Sequence, residues 1–202
     1  MSSIGLVAIQ SVRFPNAFLR MGASNVTRSE GGGSGTVNCQ YYDQSKGPNY
    51  PSPNIGNDEV FELIPLGGLS TGPGYAIRSL NYPQAFLRID GSNVTQFEGA
   101  GSGVVNCQYY SGGSYPQNNS SDDEHFIIAS AVLATESHPT YYYIQSGRFQ
   151  NAFLRIDGSN VTQSEATGSG TVNCQNYPGT TPSSIEDDEV FNIIYLKPPV
   201  SV

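Results

Sequence analysis

The chain is 202 residues long, with 9 Lys and Arg against 17 Asp and Glu, a formal net charge of −8, and no Trp. Without clustered basic side chains to displace counterions, neither nucleic acid nor an anionic membrane surface is an expected partner. No apolar run approaches the roughly eighteen residues of a membrane-spanning helix, so no membrane insertion is expected and a neutral ligand suits the surface best.

The first stretch, Met1 to Gln10, has neither a basic n-region nor a useful apolar core, so it does not read as a signal peptide. A cytoplasmic location is expected, with export by a non-classical route left open. Alternating apolar residues then mark four half-buried strands: Val7 and Ile9, Leu19 and Met21, Val37 and Cys39, Phe61 and Leu63. The set returns as Tyr75 and Ile77, Leu87 and Ile89, Val105 and Cys107, Phe126 and Ile128. It returns once more as Tyr142 and Ile144, Leu154 and Ile156, Val172 and Cys174, Phe191 and Ile193.

The segment Ala17 to Thr27 recurs as Ala85 to Thr95 and as Ala152 to Thr162, at spacings of 68 and 67 residues. Each copy runs on into Val-Asn-Cys-Gln and closes on an acidic-aromatic strand beginning at Asp58, Asp123 or Asp188. A fixed period dictates architecture before any local reading does. One unit of four short strands cannot bury its own apolar face. Repeats at roughly 5–68, 73–132 and 140–198 are therefore expected to form one closed all-β domain over residues 1–202.

The turns agree with strands. Asp90-Gly-Ser-Asn93 and Asp157-Gly-Ser-Asn160 read as hairpin turns in which Gly and Asn tolerate positive φ. The glycine-rich runs at 31–35, 99–103 and 168–170 have no helix behind them, so they read as turns and not as phosphate cradles. Three long loops, roughly 41–57, 109–122 and 176–187, are rich in Tyr, Ser, Gly, Asn and Pro. Gly67 to Gly74 and Ala131 to Thr140 read as linkers between units.

Cys39, Cys107 and Cys174 occupy one position per repeat. An odd, symmetric set argues against a disulfide framework. It leaves a three-thiolate metal site or, as the common case, buried apolar filler; no metal and no cofactor is expected. Asn25, Asn93 and Asn160 stand in Asn-Val-Thr sequons, and read as turn residues unless the chain is exported.

At this point a resemblance enters. Ala76-Ile-Arg-Ser-Leu-Asn-Tyr-Pro-Gln-Ala-Phe-Leu-Arg88 resembles the repeat of arabinofuranosidase B-type carbohydrate-binding modules, with looser versions at Ser11 to Arg20 and Ser146 to Arg155. Those modules carry an Asp three residues before the Phe of the last strand, as Asp58, Asp123 and Asp188 do here. The closing Glu-x-Phe of Glu59, Glu124 and Glu189 also resembles fascin-like repeats. Both families are β-trefoils, so the resemblance implies a β-trefoil of six barrel strands and a six-strand hairpin cap. The His that follows Leu-Arg in the arabinose modules is replaced by Met21, Ile89 and Ile156, and a Gln-x-Trp signature is excluded by the lack of Trp.

The expected function is a multivalent carbohydrate-binding protein, a lectin with up to three equivalent sites and no catalysis. Its partners are glycans of a cell surface or glycoprotein, with self-association left open. His125 and His138 have no counterparts in the other repeats, which leaves a Ser or Cys nucleophile without a repeated base. The resemblance assigns sugar contact to Asp58, Asp123 and Asp188, where a carboxylate accepts two hydroxyl hydrogen bonds; capping of loop N–H groups is the alternative. Alanine at these three positions is expected to reduce ligand stoichiometry while barely moving the thermal transition.

Asn38, Asn106 and Asn173, with Gln40, Gln108 and Gln175, either bind hydroxyls or tie down the adjacent turns. Tyr41, Tyr109 and Tyr177 offer an apolar ring and a hydroxyl to a sugar. Asn176 stands where the other repeats have Tyr41 and Tyr109, so the third site is expected to be the weakest or to differ in selectivity. Arg20, Arg88 and Arg155 are expected to cover a barrel seam with their stems. Two other readings stay open: a fascin-like actin-binding or protein-interaction module, and a trefoil protease inhibitor acting through the 41–57 loop.

Overall fold

The computed structural model describes residues 4–43, 57–69, 72–116, 121–135 and 139–197. Most of the 41–57 loop and His138 lie outside them, as do Asn118 and Asn119 of Asn-Asn-Ser-Ser, which read as two further overlapping sequons. The described residues form strands β1 (Gly5–Ser11), β2 (Ala17–Gly22), β3 (Gly35–Tyr41), β4 (Phe61–Leu69), β5 (Gly72–Ser79) and β6 (Ala85–Asp90). The series continues with β7 (Val104–Tyr109), β8 (Phe126–Val132), β9 (Tyr141–Ser146), β10 (Ala152–Asp157), β11 (Thr171–Asn176) and β12 (Phe191–Lys197).

The pairings close a ring. β1 pairs with β4, β4 with β5, β5 with β8, β8 with β9, β9 with β12, and β12 returns to β1, all antiparallel. The remaining strands pair as β2–β3, β6–β7 and β10–β11 hairpins in identical register: Leu19, Leu87 and Leu154 face Cys39, Cys107 and Cys174. The hairpins touch one another through Gly35↔Cys107 and the bridges Cys39↔Gly170 and Gly103↔Cys174. A six-strand barrel with three cyclically joined hairpins is a β-trefoil.

Alternation explains the two sides of each hairpin. Leu19, Leu87 and Leu154 enter the main core with Phe61, Phe126 and Phe191. Their neighbours Phe18, Phe86 and Phe153 point the other way, where each meets an edge-on Tyr, namely Tyr42 at 5.2 Å, Tyr110 at 5.1 Å and Tyr177 at 5.5 Å. All six Phe side chains are fully buried, so they drive closure from both layers at about 1.5–3 kcal/mol each.

The cysteines fill the contact between hairpins. A Cβ built on Gly35, Gly103 or Gly170 would lie 1.9, 2.0 or 2.0 Å from the sulfur of Cys107, Cys174 or Cys39. Each thiol therefore occupies the volume that a side chain on the partner repeat would take. Burial pushes all three thiols up to about 12, so at neutral pH they are protonated.

The connections differ from expectation in two respects. Gly67 to Leu69 and Gly72 to Gly74, read as part of a linker, pair with each other at the ends of β4 and β5. The positive-φ residues also lie elsewhere than expected. Positive φ falls on Gly33, Gly101 and Gly168, at about 70° in each repeat, and not on Gly91 or Gly158 or on the sequon Asn residues. Asp90-Gly-Ser-Asn93 and Asp157-Gly-Ser-Asn160 open longer connections between strands and do not close two-residue hairpins. Gly91 is needed for space instead: a Cβ there would lie 2.7 Å from the Ala152 Cβ and 2.9 Å from the Phe149 Cβ.

Candidate functional site

Each repeat sends one arginine from the middle of its second strand toward the acidic entry of its fourth. Arg20 Nη2 lies 2.5 Å from Asp58 Oδ2, Arg88 Nη2 2.5 Å from Asp123 Oδ2, and Arg155 Nη2 2.5 Å from Asp188 Oδ2. The other guanidinium nitrogen reaches a turn of a different repeat: Arg20 donates to the Thr167 carbonyl, Arg88 to Gly32 and Arg155 to Ala100, at 2.9–3.0 Å. The free oxygen of each carboxylate accepts from the next repeat, from Asn81, Arg148 or Arg13, at 2.8–2.9 Å. Every Asp-Arg pair thus clasps three repeats together.

This corrects two expectations. Asp58, Asp123 and Asp188 hold protein partners with both oxygens, because the Leu-Arg strand and the acidic entry meet at the same seam. The arginines contribute their charged heads as well as their stems, and Arg88 and Arg155 are only 5% exposed. In repeats two and three Asp90 and Asp157 add a second carboxylate at 3.1 and 3.2 Å. Repeat one has Gly22 there.

The amides hold turns. Gln40, Gln108 and Gln175 each grip one backbone segment of a neighbouring repeat at both ends: the side-chain NH2 donates to the carbonyl of Glu165, Glu30 or Glu98, and the side-chain oxygen accepts from the same residue's N–H. Asn38, Asn106 and Asn173 donate to Thr167, Gly32 and Ala100 at 2.6–2.7 Å. Their oxygens press against the positive-φ glycines, where a Cβ would lie 2.4–2.5 Å away. These six residues hold turns, but turns of a neighbouring repeat and not the adjacent ones that the sequence suggested.

The tyrosines separate into two kinds. Tyr42, Tyr110 and Tyr177 are structural equivalents, and each hydroxyl donates to Glu59, Glu124 or Glu189 at 2.9–3.1 Å. Tyr177 is therefore not the counterpart of Tyr41 and Tyr109. That place is taken by Asn176, which is buried and donates to the Val94 carbonyl at 2.7 Å. Tyr41 and Tyr109 are half-buried on the rim of their hairpins.

Burial pushes Glu124 and Glu189 up to about 7, and raises Glu59 as well. A carboxyl whose folded pKa lies above its ordinary value of 4.5 favours folding when protonated. The contribution is complete below 4.5 and is lost as the pH rises through about 7. The urea midpoint is expected to be higher at pH 5 than at pH 8, and Glu124→Gln with Glu189→Gln should flatten that difference. An unchanged slope in the double variant would remove the assignment.

Repeats one and three enclose a surface cleft of about 540 Å³, lined by Gln40, Tyr41, Tyr42 and Asp43 on one wall and Thr162, Gln163 and Ser164 on the other. Its back is the Gln40 grip on Glu165, which locks the two walls together. The corresponding grips in the other repeats juxtapose Tyr109 with the segment before Glu30, and Asn176 and Tyr177 with the segment before Glu98. In the last case exposed Phe97 stands edge-on to Tyr177 at 5.4 Å, beside a pocket of about 90 Å³ that includes Asp187 and Asp188. The opposing walls, Thr162 to Ser164 above all, escaped the sequence reading because nothing local shows which repeat faces which.

No protein-family model matches the chain, and no curated protein matches it. Among solved structures, the chain aligns over 96% of its length with 17% of a mosquitocidal holotoxin, at a TM-score of 0.53 and 11% identity. It aligns over 96% of its length with 49% of a Polyporus squamosus lectin bound to a human-type influenza-binding epitope, at a TM-score of 0.50 and 13% identity. An arabinofuranosidase complexed with arabinofuranosyl-α-1,2-xylobiose aligns at a TM-score of 0.49 and 16% identity, over 97% of this chain and 32% of that one. The chain spans half or less of each of these proteins. At such identities the shared property is the fold alone.

Proposed function

We propose that the chain is a carbohydrate-binding protein that acts by binding alone, with its principal site in the cleft between Tyr41 and Thr162 to Ser164. The observation that carries this reading is the cleft itself. Its volume lies within the roughly 300–1,000 Å³ of small-molecule sites, and its walls pair a half-buried Tyr with exposed hydroxyl and amide groups. A tyrosine ring offers an apolar face to the C–H side of a sugar, while Thr162, Gln163 and Ser164 supply neutral donors and acceptors for its hydroxyls. The lectin on the same fold, which was solved with a glycan epitope, supports the ligand class.

Repeat two repeats the Tyr, so a second like site forms around Tyr109. The third position has buried Asn176 and exposed Phe97, so it takes a different ligand or a weaker one. Two or three weak sites on one rigid body raise avidity for a glycan-coated surface without new contacts. The binding-only reading is supported by the fate of the titratable groups: Glu124 and Glu189 are held by tyrosine hydroxyls inside the seams, and His125 is fully buried against Gly74.

A glycan array on the purified protein tests the proposal. Gln163→Ala, which touches an exposed residue, and Tyr41→Ala are each expected to weaken retention about tenfold, a loss near 1.4 kcal/mol. An array on which no glycan is retained, or variants that bind as well as the parent, would overturn it.

A further inference from the structure

Three seams join the repeats, and they are not alike. At two of them a glycine at the end of the second strand lets the next repeat come into direct contact: Gly91 lies against Ala152 and Phe149, and Gly158 against Ala17 and Phe14. A Cβ on Gly158 would lie 2.7 Å from each of the Ala17 and Phe14 Cβ atoms. Both seams are closed over by an arginine. Arg148 lies 4.9 Å over the Phe149 ring and pairs with Asp123, and Arg13 lies 5.2 Å over Phe14 and pairs with Asp188.

The seam between repeats one and two has Ala23, Asn81 and Tyr82 in the three corresponding places. The Ala23 methyl stands where the other seams have a glycine, and it is buried at 2% exposure. The shorter, neutral Asn81 replaces the arginine lid. What opens is a cleft of about 350 Å³ lined by Ala23, Ser24, Val26, Thr27, Asn81, Tyr82, Pro83, Gln84 and Ala85. No lining residue carries a charge. Asn81 is oriented by donating to Asp58 Oδ1 at 2.8 Å, which turns its carbonyl oxygen away from that bond. Tyr82 is braced against the main core, so its ring is a fixed platform.

We propose that this cleft is a second kind of saccharide subsite, for one uncharged sugar unit, separate from the Tyr41 cleft and present once per chain. Tyr82 and Pro83 pack against the C–H face of the ring. Asn81, Ser24, Thr27 and Gln84 meet its hydroxyl or acetamido groups. The lining holds no charged side chain to pair with a carboxylate, so the site favours neutral sugars over acidic ones. The inference rests on the reading of the chain as a saccharide binder, but it concerns different residues.

The test is a residue-resolved NMR titration with glucose, galactose, N-acetylglucosamine and N-acetylgalactosamine, with N-acetylneuraminic acid as the acidic comparator. At about 10 mM ligand a site of millimolar Kd is mostly occupied. The triple variant Ala23→Gly, Asn81→Arg, Tyr82→Phe gives this seam the residues of the other two, so it keeps a fold already used twice in the same chain. The expected result is that at least one neutral sugar moves the resonances of Ser24, Thr27 and Gln84, that N-acetylneuraminic acid does not, and that the triple variant loses the response. Shifts at Tyr41 and Thr162 to Ser164 should survive in that variant. Silence at Ser24, Thr27 and Gln84 while the Tyr41 cleft responds would overturn this inference alone. A response that persists in the triple variant would do the same. Silence at both clefts would overturn both readings.

Discussion

Asp188→Ala is expected to lower the unfolding free energy by about 3–5 kcal/mol, the usual loss when one partner of a buried ion pair is removed. Asp188 is 6% exposed and Arg155 5%, so the orphaned guanidinium cannot be rehydrated without opening the seam. Asp157 at 3.2 Å and Glu189 at 3.9 Å remain as partial compensation. The same substitution frees Arg13, the link between the last repeat and the first, on which closure of the barrel depends. Asp123→Ala should behave alike, through Arg88 and Arg148. Asp58→Ala should cost less, because the Arg20 side chain is more exposed and the second partner is the neutral Asn81. Urea unfolding of the three single variants gives the order directly. Losses below about 1 kcal/mol, the level of surface pairs, would mean that the clasps do not hold the trefoil. The geometry thus reverses the expectation that alanine at these positions leaves the thermal transition nearly unchanged.

Gly170→Ala is expected to destabilise the fold to a comparable degree. The new methyl would stand 2.0 Å from the Cys39 sulfur, 2.5 Å from Val161 Cγ2 and 3.1 Å from the Asp157 carbonyl, so no single side-chain rotation makes room. Overpacking of a filled core costs about 1–3 kcal/mol and occasionally more; here the clash falls where two hairpins pair, and a loss at or above the top of that range is expected. Adding Cys39→Ala should recover part of it by removing the sulfur, and no more than part, because Val161 and the carbonyl remain. Thermal unfolding of the single and double variants decides the matter. Full recovery would place all of the crowding on the thiol, and no loss in the single variant would refute the contact.

The distribution of these sensitive positions shows what was legible in the sequence. The twelve strands and their grouping into three were readable because alternation is a property of neighbouring residues, and because a unit written three times must bury its open face against copies of itself. The opposed faces of Val37 and Asn38 follow from that same local rule. The resemblance drew attention to Asp58, Asp123 and Asp188, and the Glu-Tyr pairs lay within a span of fewer than twenty residues in each repeat.

What the sequence could not supply was the cyclic contact between repeats. Arg20 meets a turn 147 residues away, and Arg13 meets an aspartate 175 residues away. Three near-identical segments carry no local mark of which one faces which; only closure of the barrel makes that choice. For the same reason Gly91 and Gly158 looked like turn glycines until the neighbouring repeat was seen against them, and Ala23, Asn81 and Tyr82 looked like ordinary variation. The sequence by itself determined a threefold β architecture, since periodicity is written along the chain. Tertiary structure decided which polar groups are spent on holding the repeats together and where two walls stand apart, since those depend on side chains that meet only when the ring is closed.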